Sequence, residues 1–435
     1  MDSTSKEGRL SDFGKGESAL LVGIYFESKE KEKAQEYLNE LKSLGVTYGL
    51  SPDYEMLVPL RKITAATYLG KGKVEEIAQI VKEHKLSLVV IDEEISPQQQ
   101  RNLEKAIKTS VIDRTELILG VFAQRAQTKE ASIQVRLAKY EYQLPRLAKL
   151  WTHLGRQRTG GASGGFLKGE GERQIEIDRR ILKSEITRLK KQLEEVKKQR
   201  EEKRKVRKKN QIPIFALVGY TNAGKSTLLK ALTEAEVFIE DKLFATLDTT
   251  TRQYKLPSKE KILLTDTVGF IRKLPHHLVA SFKSTLEEAA FADVLLHVID
   301  ASNPSAKEQG KTTLEVLESL NASKKPILTI LNKVDKCKSA KQVNDLKFFF
   351  TNSVEISAKE KQGFEKLWHK MEKILSSLRK KVTLRLDQKE YAFFCSLQKI
   401  GKVTHSEFEG NDIVFTIELP KEQLAKVKPY LVKRS

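Results

Sequence analysis

The sequence predicts an α/β protein in which an N-terminal α/β domain and a P-loop domain are joined by an antiparallel helical hairpin, with a small α/β appendage at the C-terminal end. Three observations carry this. Apolar runs of strand length alternate with amphipathic helical patterns over 18–125 and again over 211–378, as expected for open sheets flanked by helices. Two heptad seams lie on either side of one glycine-rich stretch. A GxxxxGKS run stands between a strand and a helix. A length of 435 residues suits about three domains.

Composition narrows the classes. Hydrophobic residues make up 39% and charged residues 31%, enough for packed cores under a very charged surface. A net charge of +20 makes a polyanion the first partner to consider. Two cysteines, Cys337 and Cys395, exclude a disulfide scaffold and a cysteine-built zinc site, and suit a reducing compartment. The longest clean apolar run, 19–26, falls far short of the ~20 residues a spanning helix needs. Residues 1–17 are polar, lack the apolar stretch of a secretory signal, and are expected to be disordered. The expectation is a soluble cytoplasmic monomer without stable membrane insertion, peripheral attachment to a membrane being left open.

Within 18–125 the patterns predict a buried strand at 19–26, a helix at 28–44, a helix at 73–84, a strand at 86–92, a helix at 97–108 and a short strand at 110–112. Residues 126–210 differ. Ile133, Leu137, Tyr140, Leu144, Leu147 and Trp151 follow a heptad, as do Leu182, Ile186, Leu189, Leu193 and Val196. Pro145 should kink the first helix. The stretch 154–172 is too rich in glycine to suit a helix and should form the hairpin's long tip. A charge run is ordinarily a solvated face. Here 146–210 hold 21 Lys or Arg against 9 Asp or Glu, so more than half of the net charge sits on this arm. In the appendage, 379–435, strands are expected at 382–386 and 413–418 and helices at 391–400 and 421–430.

The strand 214–218 runs into Gly219, Tyr220, Thr221, Asn222, Ala223, Gly224, Lys225 and Ser226, with Thr227 next in the helix. Backbone amides of such a loop wrap phosphates, and Gly219 and Gly224 permit the turn. Lys225 is expected to reach the β- and γ-phosphates and Ser226 to ligate magnesium. A strand ends at Asp266, Thr267, Val268 and Gly269, a DxxG run in which the Asp serves the magnesium shell and the Gly amide the γ-phosphate. Another ends at Asn332, Lys333, Val334 and Asp335, an NKxD run. A carboxylate at Asp335 accepts from both N1–H and N2–H₂ of guanine, and adenine offers no such pair. Ser357, Ala358 and Lys359 follow one more strand and can contact the base oxygen. Four elements in this order, each at a strand end, read as a GTP hydrolase. A threonine must complete magnesium coordination and sense the γ-phosphate. Four candidates lie at Thr246, Thr249, Thr250 and Thr251, and spacing does not choose among them.

The run FATLDTTTR, followed by DTVGFIRKLPHHLVASFKSTLEEA, is similar to the HflX family of GTPases. GEGERQIEIDRR at 169–180 resembles that family's GPGETQLExDRR signature, and TYLGKG at 67–72 and VVID at 89–92 resemble parts of its N-terminal domain. The resemblance selects Thr246 and, with it, a nucleotide-contacting segment of Phe244, Ala245, Thr246, Leu247 and Asp248. It implies a GTPase that binds the large ribosomal subunit and splits stalled or idle ribosomes, and an N-terminal domain with an ATP-linked activity. The arm suits ribosomal RNA: Arg156, Arg158, Lys168, Arg173, Arg179 and Arg180 can pair phosphates. Pairing with Glu170, Glu172 and Asp178 is the plainer use of these cations. ATP finds no Walker-type loop in 19–125, only the basic turn Gly70-Lys71-Gly72-Lys73, which reads first as an ordinary connection to a helix.

Many related GTPases orient the attacking water with a Gln after DxxG. Phe270 stands there and cannot, so intrinsic hydrolysis should be slow. Completion can come from a ribosomal element, a switch residue or a potassium ion at Asn222. Asn222 reads equally as a residue tolerating an unusual turn, and His276 and His277 read as part of a switch surface. Two other functions fit the motifs: an RNA-modification or ribosome-assembly GTPase, and an ATP-driven RNA remodeller.

Overall fold

The computed structural model describes residues 16–147, 167–209, 212–233, 243–244, 247, 249–273, 288–322, 324–398, 401–420 and 423–432. The chain divides into two compact units. One gathers Met1–Lys198, Phe238–Asp248 and Val268–Leu286; the other gathers Gln199–Val237, Thr249–Thr267 and Glu287–Ser435.

The first unit runs β1 (Ser18–Tyr25), α1 (Lys31–Tyr48), β2 (Ser51–Pro59), α2 (Lys71–His84), β3 (Leu88–Ile91), α3 (Pro97–Ile107), β4 (Ser110–Asp113), α4 (Arg114–Arg125) and α5 (Lys129–Leu147), and it holds the first part of α6 (Leu167–Lys209). The four strands are all parallel in the order β2-β1-β3-β4. Helices on a parallel sheet cover both faces, which is why β1 and β3 are almost continuously apolar. Leu20, Val22, Val89, Ile91 and Val111 pack on Val74, Ile77, Val81 and Leu103. The helix starts follow local chemistry. Ser96 Oγ accepts from the Gln99 backbone amide at 3.2 Å, the Ser96 backbone amide donates to Gln99 Oε1 at 2.8 Å, and Pro97 takes the first helical position. Helix α1 stops at Gly49, whose φ of 108° suits glycine.

Several expectations are corrected here. Strand β2 went unread because SPDYEMLVP carries a proline near each end and alternates poorly, as an edge strand does. Helix α4 also went unread; its start is fixed by Asp113, whose carboxylate accepts from the Glu116 amide at 2.8 Å. Helix α1 begins at Lys31, after a single 3₁₀ turn at Ser28–Glu30. Helix α6 begins at Leu167, so Gly169 and Gly171 are helical although the whole stretch 154–172 was expected to be loop. Glycine costs roughly 1 kcal/mol against alanine in a helix, a penalty that cooperative extension into a helix of 43 residues outweighs.

Helices α5 and α6 pack through Ile133, Leu137, Ile186 and Leu189, flanked by Tyr140, Leu144 and Leu193. Lys190 and Glu141 pair across them at 2.8 Å. Pro145 lies inside α5. Arg146, near the end of α5, donates to the Ile95 carbonyl at 2.8 Å and to Asp113 Oδ2 at 3.1 Å. Burial raises the Asp113 carboxyl above its usual range, and the Arg146 charge pulls it back.

The second unit contains β5 (Ile214–Gly219), α7 (Lys225–Thr233), β6 (Thr250–Lys255), β7 (Lys261–Asp266), β8 (Val294–Asp300), α8 (Ala306–Ser319), β9 (Ile327–Asn332), α9 (Ala340–Phe349), β10 (Ser353–Glu355) and α10 (Phe364–Leu378). The sheet order is β10-β9-β8-β5-β7-β6, parallel except for β6, which pairs antiparallel with β7. Phe215, Leu217, Leu296 and Leu328 are fully buried on this sheet beneath Leu228, Leu229, Leu367 and Met371. The appendage adds an antiparallel sheet of β11 (Arg379–Asp387), β12 (Lys402–Glu409) and β13 (Asp412–Pro420), ordered β11-β13-β12, with α11 (Tyr391–Gln398) supplying Phe394 to a core of Leu384, Phe415 and Ile417. The exposed edge strand β12 went unread because KVTHSEFE offers no apolar face. Among the described residues no helix is long and apolar enough to cross a membrane.

Candidate nucleotide site

The carboxyl ends of β5, β7, β9 and β10 carry the sequence motifs, and all four strands lie in one sheet. Close packing dictates the glycines of the loop after β5. A Cβ on Gly219 would meet the Val298 carbonyl oxygen at 2.2 Å. A Cβ on Gly224, whose φ is 92°, would meet Asn332 Nδ2 at 2.3 Å. Asn222 adopts the left-handed region at φ 59°, and its carbonyl accepts from Lys333 Nζ at 2.8 Å. Its side-chain type is thereby explained by the turn.

Lys225 is 6% exposed. Its ammonium donates to the carbonyls of Gly219 at 3.1 Å and Tyr220 at 2.8 Å, which curls it over the loop. Burial lowers its pKa to about 8; Asp266 opposes the fall and Lys333 adds to it. Ser226 Oγ donates to Asp266 Oδ2 at 2.7 Å. Thr267 fixes the end of β7 by donating to the Leu217 carbonyl at 2.7 Å. Thr221 is buried, with its hydroxyl unpartnered among the described residues. Thr227 is half-buried in the first turn of α7.

Asn332 ties two loops together. Its Nδ2 donates to the Ala223 carbonyl at 2.9 Å and its Oδ1 accepts from the Ala358 amide at 3.0 Å. Lys333 has φ 60° and pairs with Asp300 Oδ2 at 2.7 Å. Asp300 ends β8 at the same sheet edge, and the strand-end rule applied to β8 would have singled it out. Val334 and exposed Asp335 sit on a 3₁₀ turn at Val334–Lys336. Ser357 is fully buried and bridges to Gln362, Ala358 is buried, and exposed Lys359 pairs with Glu360 at 3.6 Å. Among the described residues no group of three His, Cys, Asp or Glu side chains could hold a metal. An oxygen pair such as Ser226 and Asp266 is the donor set a small hard cation takes alongside phosphate and water.

Three family models match consecutive parts of the chain: a GTP-binding GTPase N-terminal region over 35–123, a GTP-binding GTPase middle region over 125–207, and one described as a 50S ribosome-binding GTPase over 214–333. A GTPase HflX of Chlamydia pneumoniae is 49% identical over 414 residues, spanning 95% of this chain and 88% of the relative. The chain belongs to the HflX family of GTPases. A second HflX relative, from Escherichia coli K12, is 40% identical over 426 residues, spanning 96% of this chain and 97% of the relative. A crystal structure of a GTP-binding protein from the archaeon Sulfolobus solfataricus in complex with GDP is 25% identical with a TM-score of 0.44, covering 83% of this chain and 99% of that one. As a member of the HflX family the chain binds GTP and GDP and hydrolyses GTP.

Not every residue expected at the HflX nucleotide site falls in this unit. Val268 and Gly269 of the DxxG run, and Phe244 and Leu247 of the segment before β6, belong to the first unit. Phe244 and Leu247 are each 2% exposed there. Burying a side chain of this size stabilises by ~1.5–3 kcal/mol. Ala245, Thr246, Asp248, His276 and His277 lie outside the described residues, as do Arg156 and Arg158. Lys168 and Arg173 lie on α6, their side chains outside the described set. Arg179 and Arg180 are exposed on α6, and Arg180 pairs with Glu176 at 2.7 Å. An exposed pair of this kind is worth at most ~1 kcal/mol, too little to withhold the arginine from a phosphate. Lys71 and Lys73 pair with Glu75 and Glu76 of their own helix, as in an ordinary helix start.

Asn332→Ala should weaken GDP binding by about 10- to 100-fold, since two buried bonds of roughly 1 kcal/mol are lost and both loop partners are left unpaired. Titration with a fluorescent GDP analogue reads this directly; unchanged affinity would mean that the two loops hold themselves.

Proposed function

We propose that this GTPase acts in the cytoplasm on the large ribosomal subunit, gripping its RNA with the hairpin arm and using GTP binding and hydrolysis to split or rescue stalled or idle ribosomes. The observation that carries the reading is the surplus of twelve positive charges on 146–210, placed on the segment that the family's middle-region model matches over 125–207. The description of the family model over 214–333 as a 50S ribosome-binding GTPase supports the same partner. In this reading 18–125, 126–210, 211–378 and 379–435 act as N-terminal domain, hairpin, GTP-binding domain and appendage.

The loop amides of 219–224 and Lys225 hold the β- and γ-phosphates. Ser226, Asp266 and Thr246 would hold a magnesium ion, which would offset the charge of the phosphate oxygens. The Gly269 amide meets the γ-phosphate, Asp335 reads the guanine edge, and the Ser357–Ala358–Lys359 backbone meets its oxygen. Phe270 is 2% exposed and offers no group to orient water, so turnover without a partner is slow.

Large ribosomal subunits should raise the GTPase rate strongly, and transfer RNA alone should not. Replacing 157–171 by a short Gly-Ser turn should leave GTP affinity near wild type. The same change should weaken subunit binding and make its salt dependence shallower, by roughly 0.7–0.9 in log–log slope per lost phosphate contact. Splitting should be lost even at concentrations that restore binding. Normal splitting by that variant would make the arm a passive spacer.

A further inference from the structure

The edge of the GTPase sheet carries a charge arrangement that no nucleotide motif uses. Strand β10 ends the sheet and pairs with β9 alone. Helix α9 leads into it and α10 follows it. Helix α10 turns Phe364, Leu367, Met371 and Leu375 to the core. The same helical geometry puts Lys366, Lys370 and Lys373, at i, i+4 and i+7, on one flank, and Glu365 and Glu372 on the other. Glu372 Oε1 is taken by the Ser258 amide at 3.1 Å. The lysines converge on β10 and are joined there by Lys347 of α9. Lys347 Nζ lies 3.2 Å and Lys366 Nζ 3.3 Å from the Glu355 carboxylate, and Lys370 donates to the Ser353 carbonyl at 2.6 Å. Burial pushes the Glu355 carboxyl up, but Lys347 and Lys366 outweigh it and hold the group below its usual range. The Lys370 ammonium is lowered by burial and then by the charges of Lys347 and Lys373. Four lysines thus share one carboxylate, and the excess charge is felt by its own members.

Beside Lys347, Phe348 is 89% exposed. Its neighbours behave otherwise. Phe350 is buried, and Phe349 meets it edge to face, ring centroids 4.8 Å apart, with Lys307 Nζ 4.3 Å from the Phe349 centroid. Phe348 enters no ring or cation pair among the described residues, and its ring stands in solvent at the end of α9. Lys341 lies on the same face of α9, two turns earlier. Lysines along an edge strand keep other chains from pairing with it, but that use gives no reason for a solvent-exposed ring.

We propose that this edge of the GTP-binding domain is a second RNA contact that takes an unpaired nucleotide, its base stacked on Phe348 and its flanking phosphates paired with Lys347, Lys366, Lys370 and Lys373. The inference rests on the reading of RNA as the partner and adds a surface to it. Stacking accepts any unpaired base, because every base has a π-face. An acidic protein segment would match the charge, but any apolar side chain at position 348 would serve it as well as a ring.

The test uses the full chain and an oligouridine of about 12 nucleotides carrying 4-thiouridine. No ribosome is present. Failure here leaves ribosomal stimulation of GTP hydrolysis untouched, and lost stimulation beside intact oligonucleotide binding would fault the ribosomal reading alone. Irradiation should crosslink the oligonucleotide within 341–355. The concentration that half-saturates this crosslink should rise about tenfold in Phe348→Ala. Phe348→Tyr, which keeps a ring, should match wild type, and Phe348→Leu should be as poor as Phe348→Ala. Lys366→Gln combined with Lys373→Gln should make the salt dependence of this crosslink shallower, by roughly 0.7 in log–log slope per phosphate contact removed. GDP affinity and melting temperature should stay at wild type throughout, since these side chains are exposed. Crosslinks confined to the arm, or wild-type half-saturation in Phe348→Ala, would overturn the proposal. Wild-type behaviour of Phe348→Leu would overturn it in favour of an acidic protein partner.

Discussion

Lys225→Ala should abolish measurable GTP hydrolysis and weaken nucleotide binding by about 10²–10³-fold. Lys225 is buried and its ammonium is held by the Gly219 and Tyr220 carbonyls, so it points along the loop that is to receive phosphates. Removing one partner of a buried ion contact costs roughly 3–5 kcal/mol, and each ~1.4 kcal/mol is a factor of ten. The loss in rate exceeds the loss in affinity, because negative charge on the β–γ bridge grows toward the transition state and Lys225 is placed to offset it. Without a nucleotide the substitution removes a buried cation whose pKa burial has already lowered to about 8, so the folded chain should not suffer. Single-turnover hydrolysis and GDP titration on the same preparation separate the two effects. Full residual activity would place the nucleotide site elsewhere.

The nucleotide motifs were legible in the sequence because their residue types are forced by chemistry that any phosphate or guanine site must satisfy. Gly219 and Gly224 are forced by the Val298 carbonyl and the Asn332 amide, and a spacing argument finds such positions without knowing what crowds them. The central strands were legible for a similar reason: β1, β3, β5, β8 and β9 are buried on both faces and read as apolar runs. Edge strands β2, β6 and β12 were not, since exposed positions break up their apolar pattern and their order is imposed by a neighbour. The docking of Lys273 on Asp92 and Glu93 was also out of reach. Nothing local marks an Asp-Glu pair as the partner of a lysine about 180 residues away; only the fold brings them together. The buried position of Phe244, T-stacked on Phe122, belongs to the same class.

Asp335→Asn should turn the enzyme from guanosine toward xanthosine nucleotides. Asp335 stands exposed on the 3₁₀ turn after β9, and no hydrogen bond or ion pair within the described residues occupies its carboxylate. The turn is held in place by its neighbours: Asn332 binds the Ala223 carbonyl and the Ala358 amide, and Lys333 pairs with Asp300. Exchange of one oxygen for an amide nitrogen at position 335 therefore alters recognition without disturbing the frame. Guanine presents two donors, N1–H and N2–H₂, to the carboxylate. An amide can accept one of them and sets its own N–H₂ against the other. Hydrogen bonds to a charged group are worth roughly 1.5–3 kcal/mol each, so kcat/KM for GTP should fall by about 10²–10³-fold. Xanthine carries O2 where guanine carries N2, so the new N–H₂ finds an acceptor while N1–H still finds the amide oxygen. XTP should then be hydrolysed at a kcat/KM approaching that of the wild type with GTP. The measurement is the ratio of kcat/KM for GTP and XTP in both proteins, and a variant that keeps the wild-type preference for GTP would show that Asp335 does not read the base.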